Sequence, residues 1–215
     1  MSRRWDSSYW DSETLLYNRP HERLRFMAEI LAAQPGRRLL DVGCSAAVLK
    51  ELLPEDMVYF GADISSVAAP LLPPGHFLQI DLNRTTELAF FQNKQIDSIH
   101  LGGVLEYLQD PASLLRSLRV LVPAEATLLT SIINFSAHRF QQAEQHHPAW
   151  VYKPKLSELE ALMQGEGWKV EQTWSFDQRP SWRKLRHFFM SYWFGKDHPN
   201  VQHDIKQYIL LARAV

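Results

Sequence analysis

Short apolar runs that end in an acidic residue recur through the first half of this chain. "RRLLDVG", "MVYFGADIS" and "GHFLQIDL" place Asp41, Asp63 and Asp81 at the ends of three successive predicted strands. Two further apolar runs, "IDSIHLGG" and "ATLLTSIIN", read as a fourth and a fifth strand. Segments of helical pattern lie around and between them. "HERLRFMAEILAAQ" sets Leu24, Met27, Ile30 and Leu31 at helical spacing. "AAVLKELLP" reads as a helix stopped at Pro54, and "TTELAFFQNKQ" as another. "DPASLLRSLRVLVP" starts on Asp110 as N-cap, with Pro111 at the first helical position. Strand and helix therefore alternate to about residue 134, which predicts an α/β, doubly wound, mostly parallel sheet with helices on both faces.

Beyond that point the pattern loosens. Residues from about 135 to 155 read as an insertion rich in His, Gln and aromatics. "KLSELEALMQGEGWKVEQTWSF" is helix, glycine turn and strand, residues 177–205 are a second insertion, and "QYILLARAV" is a closing strand. The expected organisation is one domain over 1–215 carrying these two insertions. A hydrophobic fraction of 46% supports a core of that size, and a net charge of -1 gives no general attraction to nucleic acid. The single cysteine excludes an intramolecular disulfide. No apolar leader opens the sequence and no run approaches the ~18 apolar residues of a membrane span, so a cytoplasmic location is expected.

Parallel α/β sheets bind ligands beyond the carboxyl ends of their strands, at the switch point. The three acids stand at such ends. Gly43 follows the first strand, and Asp63 comes 20 residues later, where an acid can accept hydrogen bonds from ribose hydroxyls. Asp81 can accept from an exocyclic amine such as that of adenine. A dinucleotide fingerprint needs further glycines so that the backbone can approach a pyrophosphate, and this loop has Ser45 and Ala47 instead. Their Cβ atoms favour a nucleoside-like ligand without phosphates over a dinucleotide.

In order along the chain, "LLDVGCSAAVL", "YFGADIS", "LQIDL", "IDSIHLGGVLEYLQDPASLLRSLRVLVPAEATLLTSIIN" and "LSELEALMQGEGWKV" resemble the class I S-adenosylmethionine-dependent methyltransferases of the small bacterial type. The likeness covers about residues 20–176 and the final strand. It implies a Rossmann-like methyltransferase fold, a seven-stranded sheet with its last strand antiparallel, and S-adenosylmethionine as cofactor. By the same resemblance Asp41, Gly43 and the loop residue Ser45 would lie near the methionine end of the cofactor, Asp63 would hold the ribose, and Ile64 would pack on adenine. Asp81, with Leu82 beside it, would sit near the adenine amine, and Leu101, Gly102 and Gly103 would line the methionine portion. The sequence departs from the family pattern at Ser45 and Ala47, at Tyr107 where a histidine is more usual, and before the fifth strand, where no glycine stands.

Methyl transfer from a sulfonium is an in-line displacement in which positioning carries much of the catalysis, and a hydroxyl or amine acceptor also needs a base. Glu106, His146 and His147 are the candidates, with Tyr107 and His138 near them. Asn134 either orients an acceptor or caps a turn. No metal is expected, because His146 and His147 have no cysteine partner at ligand spacing. Cys44 reads as a packing residue. The expected acceptor is a small molecule, or one linked to a lipid or glycan. The alternative is a degenerate, non-catalytic relative that acts as a binding partner. In "RPSWRKLRHFFMSYWFGKDH", Trp182, Leu185, Phe188, Phe189, Tyr192 and Trp193 fall on one helical face beside Arg183, Lys184 and Arg186. That pattern suits an amphiphilic acceptor or transient contact with a membrane surface. The sequence sets no oligomeric state.

Overall fold

A computed structural model of the chain describes Trp10 and residues 19–136, 150–176 and 207–215. Helix α1 is Glu22–Ala32, opened by His21, whose Nδ1 accepts the Leu24 N–H. The strands β1 (Arg38–Val42), β2 (Val58–Asp63), β3 (Phe77–Gln79), β4 (Ser98–Gly102) and β5 (Thr127–Ile133) follow, with α2 (Pro111–Leu121) between the last two. Helix α3 (Leu156–Gly165), β6 (Trp168–Phe176) and β7 (Gln207–Ala214) complete the described elements. Asp110 caps α2 as read from the sequence, its carboxylate accepting the Ser113 N–H.

The seven strands form one sheet in the order β3-β2-β1-β4-β5-β7-β6. β1 to β5 pair in parallel, and β7 runs antiparallel to both β5 and β6. This is the expected doubly wound, Rossmann-like sheet. The chain leaves β1 outward to β2 and β3, then returns to the other side at β4, so the switch point lies between β1 and β4.

Alternation along the strands divides the core. Leu40, Phe60, Ile99 and Leu128 face α2, where Leu114 and Leu118 bury with them. Leu39, Tyr59 and Leu129 face the opposite layer, against Met27 and Leu31 of α1. Trp168 is fully buried and its indole N–H donates to the Leu115 carbonyl at 3.0 Å.

Two predicted helices are 3-10 segments instead. Val48–Leu52 is five residues long, held between left-handed Ala47 and the stop at Pro54, too short a span for the cost of α-helix nucleation. Thr85–Phe91 buries Leu88 and Phe91, three residues apart, a spacing that eclipses in a 3-10 turn. β3 is also shorter than "GHFLQIDL", covering Phe77–Gln79 at the sheet edge. The aromatic–basic segment around Trp182, Trp193 and Arg183 lies outside the described residues, as do most of both insertions. Among the described residues no helix is long and apolar enough to cross a membrane.

Candidate active site

The loop after β1 keeps the backbone shape that glycine would give it. Gly43 has φ +79°, and an added Cβ would come within 2.3 Å of Val104 Cγ2. Conformation and packing both require glycine there. Ser45 and Ala47 have φ of 49° and 55°, in the left-handed region that L-residues enter at a cost of roughly 1–2 kcal/mol. The loop is thus folded for close approach although two of its residues carry side chains.

Asp63, at the end of β2, fixes that shape. Its Oδ2 accepts the Ser45 N–H and its Oδ1 accepts the Ser65 N–H, each at 2.8 Å. Burial raises its carboxyl above the usual aspartate range, against these two bonds, which lower it. Ile64 is half-buried beside it, its carbonyl accepting from Gln79 Nε2. Asp81 lies past the end of β3 and folds into a local turn, its Oδ1 accepting both the backbone N–H and the Nδ2 of Asn83 at 3.0 Å. Leu82 packs at the margin of the core.

Asp41 is buried under the loop, and both its oxygens are engaged. The Tyr59 hydroxyl donates to Oδ2 at 2.5 Å, and His100 Nδ1 lies 2.6 Å from Oδ1. Asp41 and His100 are register partners across β1 and β4. The Tyr59 hydroxyl is held well above its usual range, first by burial and then by the Asp41 charge. Cys44 is also buried, and burial with nearby Asp41 raises its thiol well above the usual range. It packs over Gly61 as a small apolar residue, consistent with the sequence reading.

At the end of β4, the Leu101 side chain belongs to the core and its carbonyl accepts from the Thr130 hydroxyl at 2.9 Å. Gly102 makes room for the His100 ring, and Gly103, at φ +72°, makes room for the Arg23 guanidinium, 3.3 Å from where its Cβ would be. Glu106 follows, 1% exposed. Its Oε1 accepts the Ile133 N–H at 3.0 Å, and its backbone carbonyl accepts the N–H groups of Val151 and Tyr152. Its Oε2 is buried without a partner among the described residues. Burial raises the carboxyl of Glu106, while Arg23 acts the other way. Aromatic rings flank it: Trp10 meets Tyr107 edge-on at 4.8 Å, and Phe135 meets Trp150 at 5.5 Å. Asn134 Oδ1 accepts the Ser136 N–H, the turn-capping role.

The structure therefore gathers Asp41, Gly43, Ser45, Asp63, Gly102 and Glu106 around the ends of β1, β2 and β4. His138, His146 and His147 lie outside the described residues. Among the described residues no group of His, Cys, Asp and Glu could hold a metal ion. The sequence reading missed Arg23, Tyr59, His100 and Ser131. Arg23 had a signal, since it lies four residues before Met27 on the buried face of α1. His100 had a weaker one, as a polar residue inside an apolar strand.

Seven strands in this order, a carboxylate at the end of β2 and a glycine turn at the switch point define the Rossmann-like methyltransferase class. Residues 15–173 match the family described as a methyltransferase domain, and the chain belongs to that family, the class I S-adenosylmethionine-dependent methyltransferases. S-adenosylmethionine is the cofactor of the family. Among curated proteins the chain is similar to a ubiquinone biosynthesis O-methyltransferase of Hahella chejuensis, 33% identical over 154 residues, 65% of this chain and 60% of that protein. The chain thus spans about 60% of the length of that relative. Its fold is similar to a SAM-dependent methyltransferase from Archaeoglobus fulgidus (TM-score 0.63, 16% identity, 89% of this chain and 91% of that one). It is similar again to magnesium protoporphyrin IX methyltransferase from Synechocystis PCC 6803 with bound SAH (TM-score 0.61, 15% identity, 97% of both chains).

Proposed function

We propose that this chain transfers a methyl group from S-adenosylmethionine to a hydroxyl of a small-molecule acceptor, with Glu106 as the base. The observation that carries the reading is the Glu106 carboxylate. It is buried at the carboxyl edge, one oxygen is held by Ile133 and the other is uncommitted among the described residues. Burial disfavours its charged form, which makes it a better proton acceptor than an ordinary glutamate.

The residues present fit the cofactor. Gly43 leaves a close-approach turn, Asp63 retains lone pairs beyond the two it gives to Ser45 and Ser65, and buried Arg23 offers a cation to a carboxylate. The cofactor supplies an activated methyl group. The chain's part is to orient both ligands, exclude water with the rings of Trp10, Tyr107, Phe135 and Trp150, and take the acceptor's proton on Glu106. The left-handed backbone retained at Ser45 and Ala47 favours a working loop over a degenerate one. The O-methyltransferase relative favours a hydroxyl acceptor.

The test is a radiolabelled methyl-transfer assay with simple phenols and catechols, run beside calorimetry with S-adenosylhomocysteine. Glu106→Gln should cut kcat about 100-fold and leave S-adenosylhomocysteine affinity within about twofold. A variant that turns over at the parent's rate removes Glu106 from the base role.

A further inference from the structure

We infer that His100 is a cofactor-contacting residue whose Nε2 accepts a hydrogen bond from the α-ammonium of the cofactor's amino-acid end. The inference rests on the S-adenosylmethionine reading and adds a residue to it.

The starting point is that Asp41 is buried and ties two side chains of the fold. Each of its oxygens holds one buried side chain, Tyr59 on Oδ2 and His100 on Oδ1. A carboxylate only accepts, so Nδ1 of His100 donates, and in the neutral ring Nε2 then keeps a lone pair. His100 is 4% exposed, and Nε2 has no partner among the described residues. A buried acceptor left unmatched is costly, and native structures rarely keep one without a use.

The surroundings indicate the use. Nε2 lies 2.6 Å from the position a Cβ on Gly102 would take, at the last residue of β4. Gly102 is the register partner of Ser131, whose hydroxyl is likewise buried and unmatched among the described residues. Next along the chain, Gly103 accommodates the buried Arg23 guanidinium. Unmatched acceptors beside a buried cation are complementary to a zwitterion, an ammonium paired with a carboxylate. The switch point between β1 and β4 is where the ligand lies. In this chain the Asp41 charge reaches that point through the His100 ring, and glycine at 102 is what allows the ring to be there.

The experiment compares S-adenosylhomocysteine with 5′-methylthioadenosine, which has the adenosine and sulfur but no amino-acid end. By calorimetry, His100→Gln should weaken S-adenosylhomocysteine at least about tenfold and leave 5′-methylthioadenosine unchanged. In the parent labelled with ¹⁵N-histidine, the His100 Nε2 resonance should move with S-adenosylhomocysteine and not with 5′-methylthioadenosine. This second measurement stands even where the variant fails to fold. Equal movement with both ligands, no movement with either, or equal weakening of both would overturn the assignment. A parent that binds no S-adenosylhomocysteine defeats the cofactor reading itself, and this inference with it.

Discussion

Asp63 Oδ2 accepts the Ser45 N–H at 2.8 Å, so the residue assigned to the ribose also ties the β1 loop to the end of β2. The proposed ribose role and this tie are coupled, because the same carboxylate oxygens hold the loop in place. Asp63→Ala should weaken S-adenosylhomocysteine by roughly 1.5–3 kcal/mol and also lower stability, since two backbone donors lose their acceptor. Asp63→Asn, which keeps one accepting oxygen, should lose less stability. Calorimetry and urea unfolding on both variants check this. An Asp63→Ala protein with parental affinity would refute the ribose assignment.

The loop backbone leads to opposite expectations at neighbouring positions. Ser45 and Ala47 sit at φ of 49° and 55° with side chains. Replacing both by glycine removes roughly 1–2 kcal/mol of left-handed strain at each and returns about 0.4–1 kcal/mol of chain entropy to the unfolded state. The double variant should be at least as stable as the parent and should bind S-adenosylhomocysteine no more weakly. Gly43→Ala meets both an unfavourable φ and Val104 Cγ2 at 2.3 Å, so it should lose roughly 1–3 kcal/mol. Thermal unfolding of the two proteins, moving in opposite directions, is the readout.

Much of this site was legible in the sequence because its information is local. An apolar run ending in an acid marks a strand end, so Asp41 and Asp63 could be placed at the ends of β1 and β2. Asp110 and Pro111 marked the start of α2 for the same reason. What stayed hidden depends on register. Nothing in "LLDVG" or "DSIHLGG" says that Asp41 and His100 lie side by side, because that follows only when β1 and β4 pair with Leu39 opposite Ser98. Val48–Leu52 was misread because its composition is helical, while its length is fixed by a left-handed residue before it and a proline after it.

Burial of Glu106 and Asp63 gives a pH dependence with a definite sign. Both carboxyls are raised in the folded chain, with burial as the first cause. The folded state then binds protons more readily than the unfolded state, so these groups favour folding at low pH. Their contribution is lost as pH rises from the ordinary carboxylate range through the raised values. Glu106→Gln removes one such group. Its urea midpoint, followed upward from about pH 4, should fall less steeply than the parent's. Parallel curves for the two proteins would show that burial does not raise the Glu106 carboxyl.

The fit between His100 and Gly102 can be measured as an interaction energy. The His100 ring occupies the space a side chain at 102 would take, with Cε1 and Nε2 both 2.6 Å from that Cβ position. Gly102→Ala in the parent must therefore move the ring, strain the Asp41 bond, or both, and should lose roughly 1–3 kcal/mol. In a His100→Ala background the same added methyl meets open space and should cost little. The single and double variants form a cycle, and close contact predicts a coupling of about 0.5–3 kcal/mol. The cycle separates steric fit from ligand chemistry, because urea unfolding without any ligand reads the first alone. A coupling near zero would mean that the ring can leave Gly102 freely, and the Asp41–His100 pair would then not be fixed enough to present an acceptor at the strand end.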